Sequence, residues 1–252
     1  MSKIYDALQS AYKDRLEKAK AGNDEDTNSH IPPPPDTNPA PFETFHEEAE
    51  LQGLAQSIAT HLPNPDQNVI QFIGSQEGEG ASTLVREFAL MVAHKSTKPV
   101  LLVDADIKQP THAQTFGLEQ KPPLEYFLKE SKPLDGVISK VDQSNLFLAT
   151  LSSNFFRSLT ERSSFHSTDM WKAARNRFAL ILIDSAPASI STESLALCET
   201  VNGVILVLAQ EKTRAAVAQN VKKQILNREG NILGIVYTKR KFHIPKAIHK
   251  FL

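Results

Sequence analysis

At 252 residues with 40% apolar side chains, the chain can bury the core of one large domain or two small ones. Its net charge of −1 lacks the basic excess of a nucleic-acid protein, so no nucleic-acid partner is expected. The one cysteine, Cys198, excludes an internal disulfide and fits a reducing cytosol; it ends the apolar helical run Ser194-Leu195-Ala196-Leu197-Cys198 and reads as core packing.

Residues 1–20 predict an amphipathic helix, with Ile4, Leu8, Ala11 or Tyr12, and Leu16 recurring every three to four positions. So short a helix is marginal alone, and its stripe can pack on its own domain, on a partner chain or on a membrane surface. Residues 21–42 predict a disordered linker, polar and interrupted by Pro32-Pro33-Pro34-Pro35, Pro39 and Pro41, a composition that favours extended polyproline II. No apolar run approaches the roughly 18 residues of a membrane span, and the N-terminus has no signal-peptide core. The expectation is a cytoplasmic protein, unless something docks it to a membrane.

From residue 43 to 238 strand and helix signals alternate. A helix is expected over 43–62, ended by Pro63. Strands are expected over 69–73, 100–104, 146–150, 179–184, 204–209 and 232–237. Further helices are expected over 83–94, 124–128, 169–177, 192–198 and 215–227. Most strand candidates are continuous apolar runs, which signals burial on both faces. The predicted fold class is therefore α/β: a doubly wound, mostly parallel sheet flanked by helices, with a ligand crevice beyond the strand C-termini. Residues 152–167, rich in Ser, Thr and Arg, read as a mobile segment near the rim of that crevice. Residues 239–252 form a basic amphipathic tail that can lie on an anionic membrane or pack back on the sheet.

The chemistry gathers at strand ends. The strand at 69–73 runs into Gly74-Ser75-Gln76-Glu77-Gly78-Glu79-Gly80-Ala81-Ser82-Thr83, and a helical run follows. Strand, glycine loop and helix is the setting of a phosphate-binding P-loop, where backbone N–H groups and the helix N-terminus converge on phosphate oxygens. The pattern also needs a lysine before the Ser or Thr, and here that position holds Ala81. Asp104 and Asp106 close the second strand and Asp184 closes another; each can cap a helix, and together after a glycine loop they suit a hydrated Mg²⁺. The eight histidines show no metal-ligand spacing.

These residues resemble the bacterial tyrosine kinases (BY-kinases) of capsule and exopolysaccharide synthesis, relatives of the MinD/ParA-type ATPases. Gly78-Glu79-Gly80 with Ser82-Thr83 resembles the family's Walker A. Val103-Asp104-Ala105-Asp106-Ile107-Lys108-Gln109-Pro110 resembles its Walker A′, and Ile183-Asp184-Ser185-Ala186-Pro187 its Walker B. The opening Ser2-Lys3-Ile4-Tyr5-Asp6-Ala7-Leu8 and the closing Lys239-Arg240-Lys241-Phe242-His243-Ile244-Pro245 also resemble the family's ends. The resemblance implies Gly78, Glu79, Gly80, Ala81, Ser82 and Thr83 as the binding loop for ATP or ADP. It also implies Ser82, Asp104 and Asp184 at Mg²⁺, and Asp104 and Asp106 as catalytic acids.

Three departures point to impairment. Ala81 removes the ammonium that tracks the phosphates, and the MinD/ParA signature lysine falls at Gln76. The ring-forming helix motif E-x-x-R-x-x-R has its counterpart at Glu50, Gly53 and Gln56, without either arginine. The tail offers no tyrosine after Tyr237. The two carboxylates in the loop, Glu77 and Glu79, make its field less friendly to a triphosphate. The expected function is a catalytically impaired partner of the inner-membrane polysaccharide co-polymerase, or chain-length determinant, with weakened ATP or ADP and Mg²⁺ binding. The alternative is an active kinase or ATPase that borrows a lysine such as Lys108 or Lys212.

Overall fold

The computed structural model describes residues 48–64, 66–129, 133–160, 171 and 174–239. The expected first helix, the proline-rich linker, residues 161–170 and the tail beyond Lys239 lie outside the described residues. Seven strands form one sheet: β1 Val69–Gly74, β2 Val100–Asp104, β3 Ser139–Lys140, β4 Leu146–Thr150, β5 Leu180–Ser185, β6 Gly203–Ala209 and β7 Ile232–Thr238. Their spatial order is β3-β4-β2-β5-β1-β6-β7, and every pairing is parallel except that of β3 with β4. Among the described helices, α1 is Glu48–His61, α2 Ala81–Lys95, α3 His112–Thr115, α4 Tyr126–Lys129, α5 Ser153–Thr160, α6 Thr192–Leu197 and α7 Ala215–Asn227.

The central strands have apolar residues pointing both ways because helices cover both faces. On one face Ile70, Phe72, Leu102 and Leu182 pack against Leu84, Val85 and Phe88 of α2. Burying those three α2 side chains contributes roughly 5–9 kcal/mol as an upper bound, which fixes the helix that follows the glycine loop. On the other face Val69, Leu101, Ile181 and Ile183 meet Leu124, Phe155, Trp171 and Phe178. A third cluster joins Ile73, Leu206 and Leu208 to Val221 and Ile225 of α7.

The structure corrects two expectations. Residues 153–160 are not a mobile segment but the helix α5, and its Phe155 and Phe156 are 0% and 3% exposed in the core. Ser153, Asn154 and Arg157 make its outer face, while the adjacent aromatic pair supplies an inner one. The helix expected over 124–128 contracts to the single turn of α4, because Leu124 already lies buried and its N–H donates to Thr150 O at 2.8 Å. No described helix is long and apolar enough to cross a membrane.

Candidate functional site

Strand order decides where the chemistry gathers. β1 lies between β5 and β6, and β2 lies next to β5, so the C-terminal ends of β1, β2 and β5 open on one edge. Asp104 and Asp184 are register partners at the ends of neighbouring strands. Two acids far apart in sequence, Asp104 and Asp184, thereby meet beside the strand that leads into the glycine loop.

Gly78 (φ 73°) and Gly80 (φ 85°) take left-handed backbone conformations that a side chain would strain. Gly80 is the N-cap of α2; no side chain caps that end and its first turn carries no acid. The leading N–H groups of α2, from Ala81 to Thr83, therefore lack intrahelical acceptors and carry the helix's partial positive charge. That arrangement receives anions. Ala81 contributes only a methyl group there, with its Cβ 3.8 Å from where a Cβ on Gly74 would stand.

Glu79 has a different position from the one expected. Its carboxylate is buried in the base of the loop, 2% exposed as a residue. Oε2 accepts from the N–H of Ser75 at 2.5 Å and of Gln76 at 3.0 Å. Oε1 accepts from Ser75 Oγ at 2.7 Å and from the Thr213 hydroxyl. The Glu79 carbonyl accepts from the Thr238 hydroxyl at the end of β7. Glu79 thus knots together the start of the loop, the turn after β6 and the last residue of β7. Of the two carboxylates expected to burden the loop's field, only Glu77 is exposed.

The acids beyond β2 and β5 are also committed. Asp104 Oδ2 accepts from the N–H groups of Thr111 (3.0 Å) and His112 (3.1 Å), and Oδ1 from that of Asp106 (3.3 Å). Burial pushes the Asp104 carboxyl up to about 6, with nearby Asp184 adding to the rise and His112 opposing it. Asp184 Oδ2 is 2.8 Å from Nε2 of His112, a histidine with no exposed surface. Asp184 Oδ1 and His112 Nδ1 are buried without a partner. Asp106 is half-buried, and its Oδ1 holds the turn after it by accepting from the N–H groups of Lys108 and Gln109, both at 3.1 Å.

The two lysines named as substitutes separate cleanly. Lys108 reaches the other way and donates to Ile190 O at 3.1 Å, tying the Asp106 turn to the loop after β5. Lys212 comes to the glycine loop, with its Nζ 3.5 Å from the point where a Cβ on Gly78 would stand.

The donor set fits a phosphate chain with Mg²⁺ in part. The uncapped helix end and the left-handed glycines form an anion nest, and the orphaned Oδ1 of Asp184 wants a donor or a cation. Against this, the other Asp184 oxygen faces an imidazole, both Asp104 oxygens face backbone N–H groups, and no group of three His, Cys, Asp or Glu side chains able to hold a metal occurs among the described residues. His112 is the residue that sequence reasoning missed. Its signal was its place eight residues after Asp104 on the same motif, not any metal spacing.

A cleft of about 650 Å³ lies apart from the acids, between α1 and β7, lined by Glu50, Leu51, Gly53, Leu54, Ile235 and Tyr237 among others. Two of the three positions matched to the ring-forming motif, Glu50 and Gly53, are on this cleft; Gln56 is exposed elsewhere on α1.

No family model matches the chain. It is 25% identical over 190 residues to EpsB of Ralstonia nicotianae, covering 74% of this chain and only a quarter (25%) of that protein's length. It is 26% identical over 206 residues to the tyrosine-protein kinase CpsD of Streptococcus pneumoniae, covering 80% of this chain and 89% of CpsD. Among solved structures, the kinase domain of VpsO superposes with a TM-score of 0.64 at 27% identity, over 77% of this chain and 96% of that one. The kinase domain of the Escherichia coli tyrosine kinase ETK gives 0.66 at 16% identity over 79% of each chain. A ParA family ATPase from Chlorobium tepidum shares the fold more distantly, with a TM-score of 0.52 at 16% identity over 68% of this chain and 72% of that one. In motif, sequence and fold the chain is similar to the bacterial tyrosine kinases, and it shares its fold with ParA-type ATPases, with Ala81 in its glycine loop where the pattern has lysine.

Proposed function

We propose that this is a BY-kinase-like protein of exopolysaccharide biosynthesis and export that acts by binding rather than by phosphoryl transfer. Its partner in this reading is an inner-membrane polysaccharide co-polymerase, or chain-length determinant, which holds it at the cytoplasmic face of that membrane. The carrying observation is Ala81. At the first turn of α2, where a transferring phosphoryl group needs a charge to follow it, the side chain is a methyl group. Support comes from Asp184, whose Oδ2 faces His112. It comes also from Gly53 and Gln56 in place of the ring-forming arginines.

The glycine loop, from Gly78 through Glu79, Gly80 and Ala81 to Ser82 and Thr83, is kept as a weak cradle for ATP or ADP. Ser82, Asp184 and Asp104 are the residues that would hold Mg²⁺, which would supply charge neutralisation to the phosphates. Asp104 and Asp106 remain as the vestige of the catalytic acids. Glu79 acts through the loop's shape and not through contact with phosphate. The competing reading, turnover with a borrowed lysine, is favoured by the position of Lys212.

The purified chain with Mg²⁺-ATP, alone and with the cytosolic segments of the co-polymerase, tests the proposal. Turnover at background and a saturable complex are expected. Hydrolysis abolished by Asp106→Asn would overturn the impairment, and absence of a complex would overturn the partner role.

A further inference from the structure

We infer that Lys212 is a phosphate-binding residue: from the turn between β6 and α7 it supplies the ammonium that Ala81 leaves out, and it makes the glycine loop a site for a nucleoside di- or triphosphate. This rests on the reading that the loop still holds nucleotide.

Lys212 is exposed, and an exposed lysine ordinarily spends its rotamer freedom in water. This one lies over the loop, its Nζ 3.5 Å from the Cβ point of Gly78. Gly78 has a left-handed backbone and no side chain, so the ammonium stands directly above backbone that an anion would meet. Among the described residues Lys212 has neither an ion pair nor a side-chain hydrogen bond. Its charge is therefore available.

The position is held from behind. The Lys212 and Thr213 N–H groups both donate to Ala209 O, at 3.3 and 3.0 Å. The Thr213 hydroxyl accepts from the Ala209 N–H at 3.2 Å and donates to Glu79 Oε1 inside the loop. The residue next to Lys212 is thus fastened to the loop that Lys212 overhangs.

Charge completes the argument. The loop carries Glu77 and Glu79, and its own lysine positions hold Ala81 and Gln76. Lys108 is engaged on Ile190 O. Lys212 is then, among the described residues, a cation placed to meet phosphate oxygens as a compact, mobile point charge. Arriving from another turn, it would grip phosphate without reproducing the path of a lysine at position 81, which fits a site that binds better than it reacts.

The test is calorimetric titration of ADP and of ATP with Mg²⁺ into the full chain, its Lys212→Ala and Lys212→Gln variants, a Lys223→Ala control on α7, and the double variant Lys212→Ala/Ala81→Lys. Lys212→Ala and Lys212→Gln are expected to weaken binding about 10- to 100-fold, the worth of a hydrogen bond to a charged group. Lys223→Ala should change nothing. Raising the salt should weaken the wild type more than Lys212→Ala, and the double variant should regain affinity. Equal affinity in wild type and both Lys212 variants would overturn the role of Lys212 while leaving the cradle standing. No binding by the wild type at millimolar nucleotide would overturn the cradle itself.

Discussion

Glu79→Ala and Glu79→Gln separate architecture from ligand chemistry in the glycine loop. The Glu79 carboxylate accepts four hydrogen bonds: from the N–H groups of Ser75 and Gln76 and from the hydroxyls of Ser75 and Thr213. Ser75 is fully buried and Gln76 half-buried. Truncation to alanine strands the Ser75 N–H in the interior, at about 2–3 kcal/mol. It half-strands that of Gln76 at about 1 kcal/mol and releases two hydroxyls at about 1 kcal/mol more. The sum is about 4–5 kcal/mol, or a fall in Tm of roughly 8–20 °C for a domain of this size. Glutamine behaves differently. Its oxygen can keep the two N–H groups, and its NH₂ can donate to hydroxyls that rotate to accept. The cost drops to about 1–2 kcal/mol, the loss of charge assistance. Urea unfolding of the three proteins, read as midpoint with unchanged slope, measures both numbers. A Glu79→Ala loss below about 1 kcal/mol, or a Glu79→Gln loss equal to it, would refute the clamp.

Other expectations follow from the same contacts. His112→Ala leaves the buried Asp184 carboxylate without its imidazole and should destabilise the fold by about 3–5 kcal/mol in urea, with His112→Gln milder because an amide can still donate. At Gly203 an added Cβ would stand 2.2 and 2.4 Å from Leu233 Cδ1 and Cγ, so Gly203→Ala should cost about 1–3 kcal/mol by overpacking. Leu233→Ala in the same chain should recover part of that cost, and a double-mutant cycle with no coupling would contradict the packing. Burial pushes the Cys198 thiol up to about 12, so the native protein should resist iodoacetamide at pH 8 while the urea-unfolded chain alkylates readily; rapid native labelling would mean the helix end opens easily.

Much of the fold is written locally. The bounds of β2, β4 and α7 follow directly from apolar runs and helical periodicity, because two-sided burial leaves little freedom of composition. β3 escapes because two residues at an antiparallel edge carry no pattern. α5 escapes because Ser153, Asn154, Arg157 and Ser158 dilute the signal of Phe155 and Phe156, whose inner face is defined by distant residues such as Trp171 and those of the sheet. In the site, the acids at strand ends are legible because a carboxylate after an apolar strand has little packing use. Their partners are not. His112 meets Asp184 across 72 positions and Thr213 meets Glu79 across 134, distances at which only the sheet order decides neighbours. Lys108 and Lys212 look alike in sequence and differ only in where their turns point.

The Thr238 hydroxyl, donating to the Glu79 carbonyl, has a mechanical meaning. Thr238 ends β7, and the chain continues at once into Lys239 and the basic residues after it. Any pull on that following segment, from a partner or a lipid surface, loads the Thr238 carbonyl, which accepts from the Gln210 N–H at 2.9 Å, and a hydroxyl whose acceptor belongs to the glycine loop. Tension outside the domain would therefore reach the floor of the glycine loop with no lever arm between them.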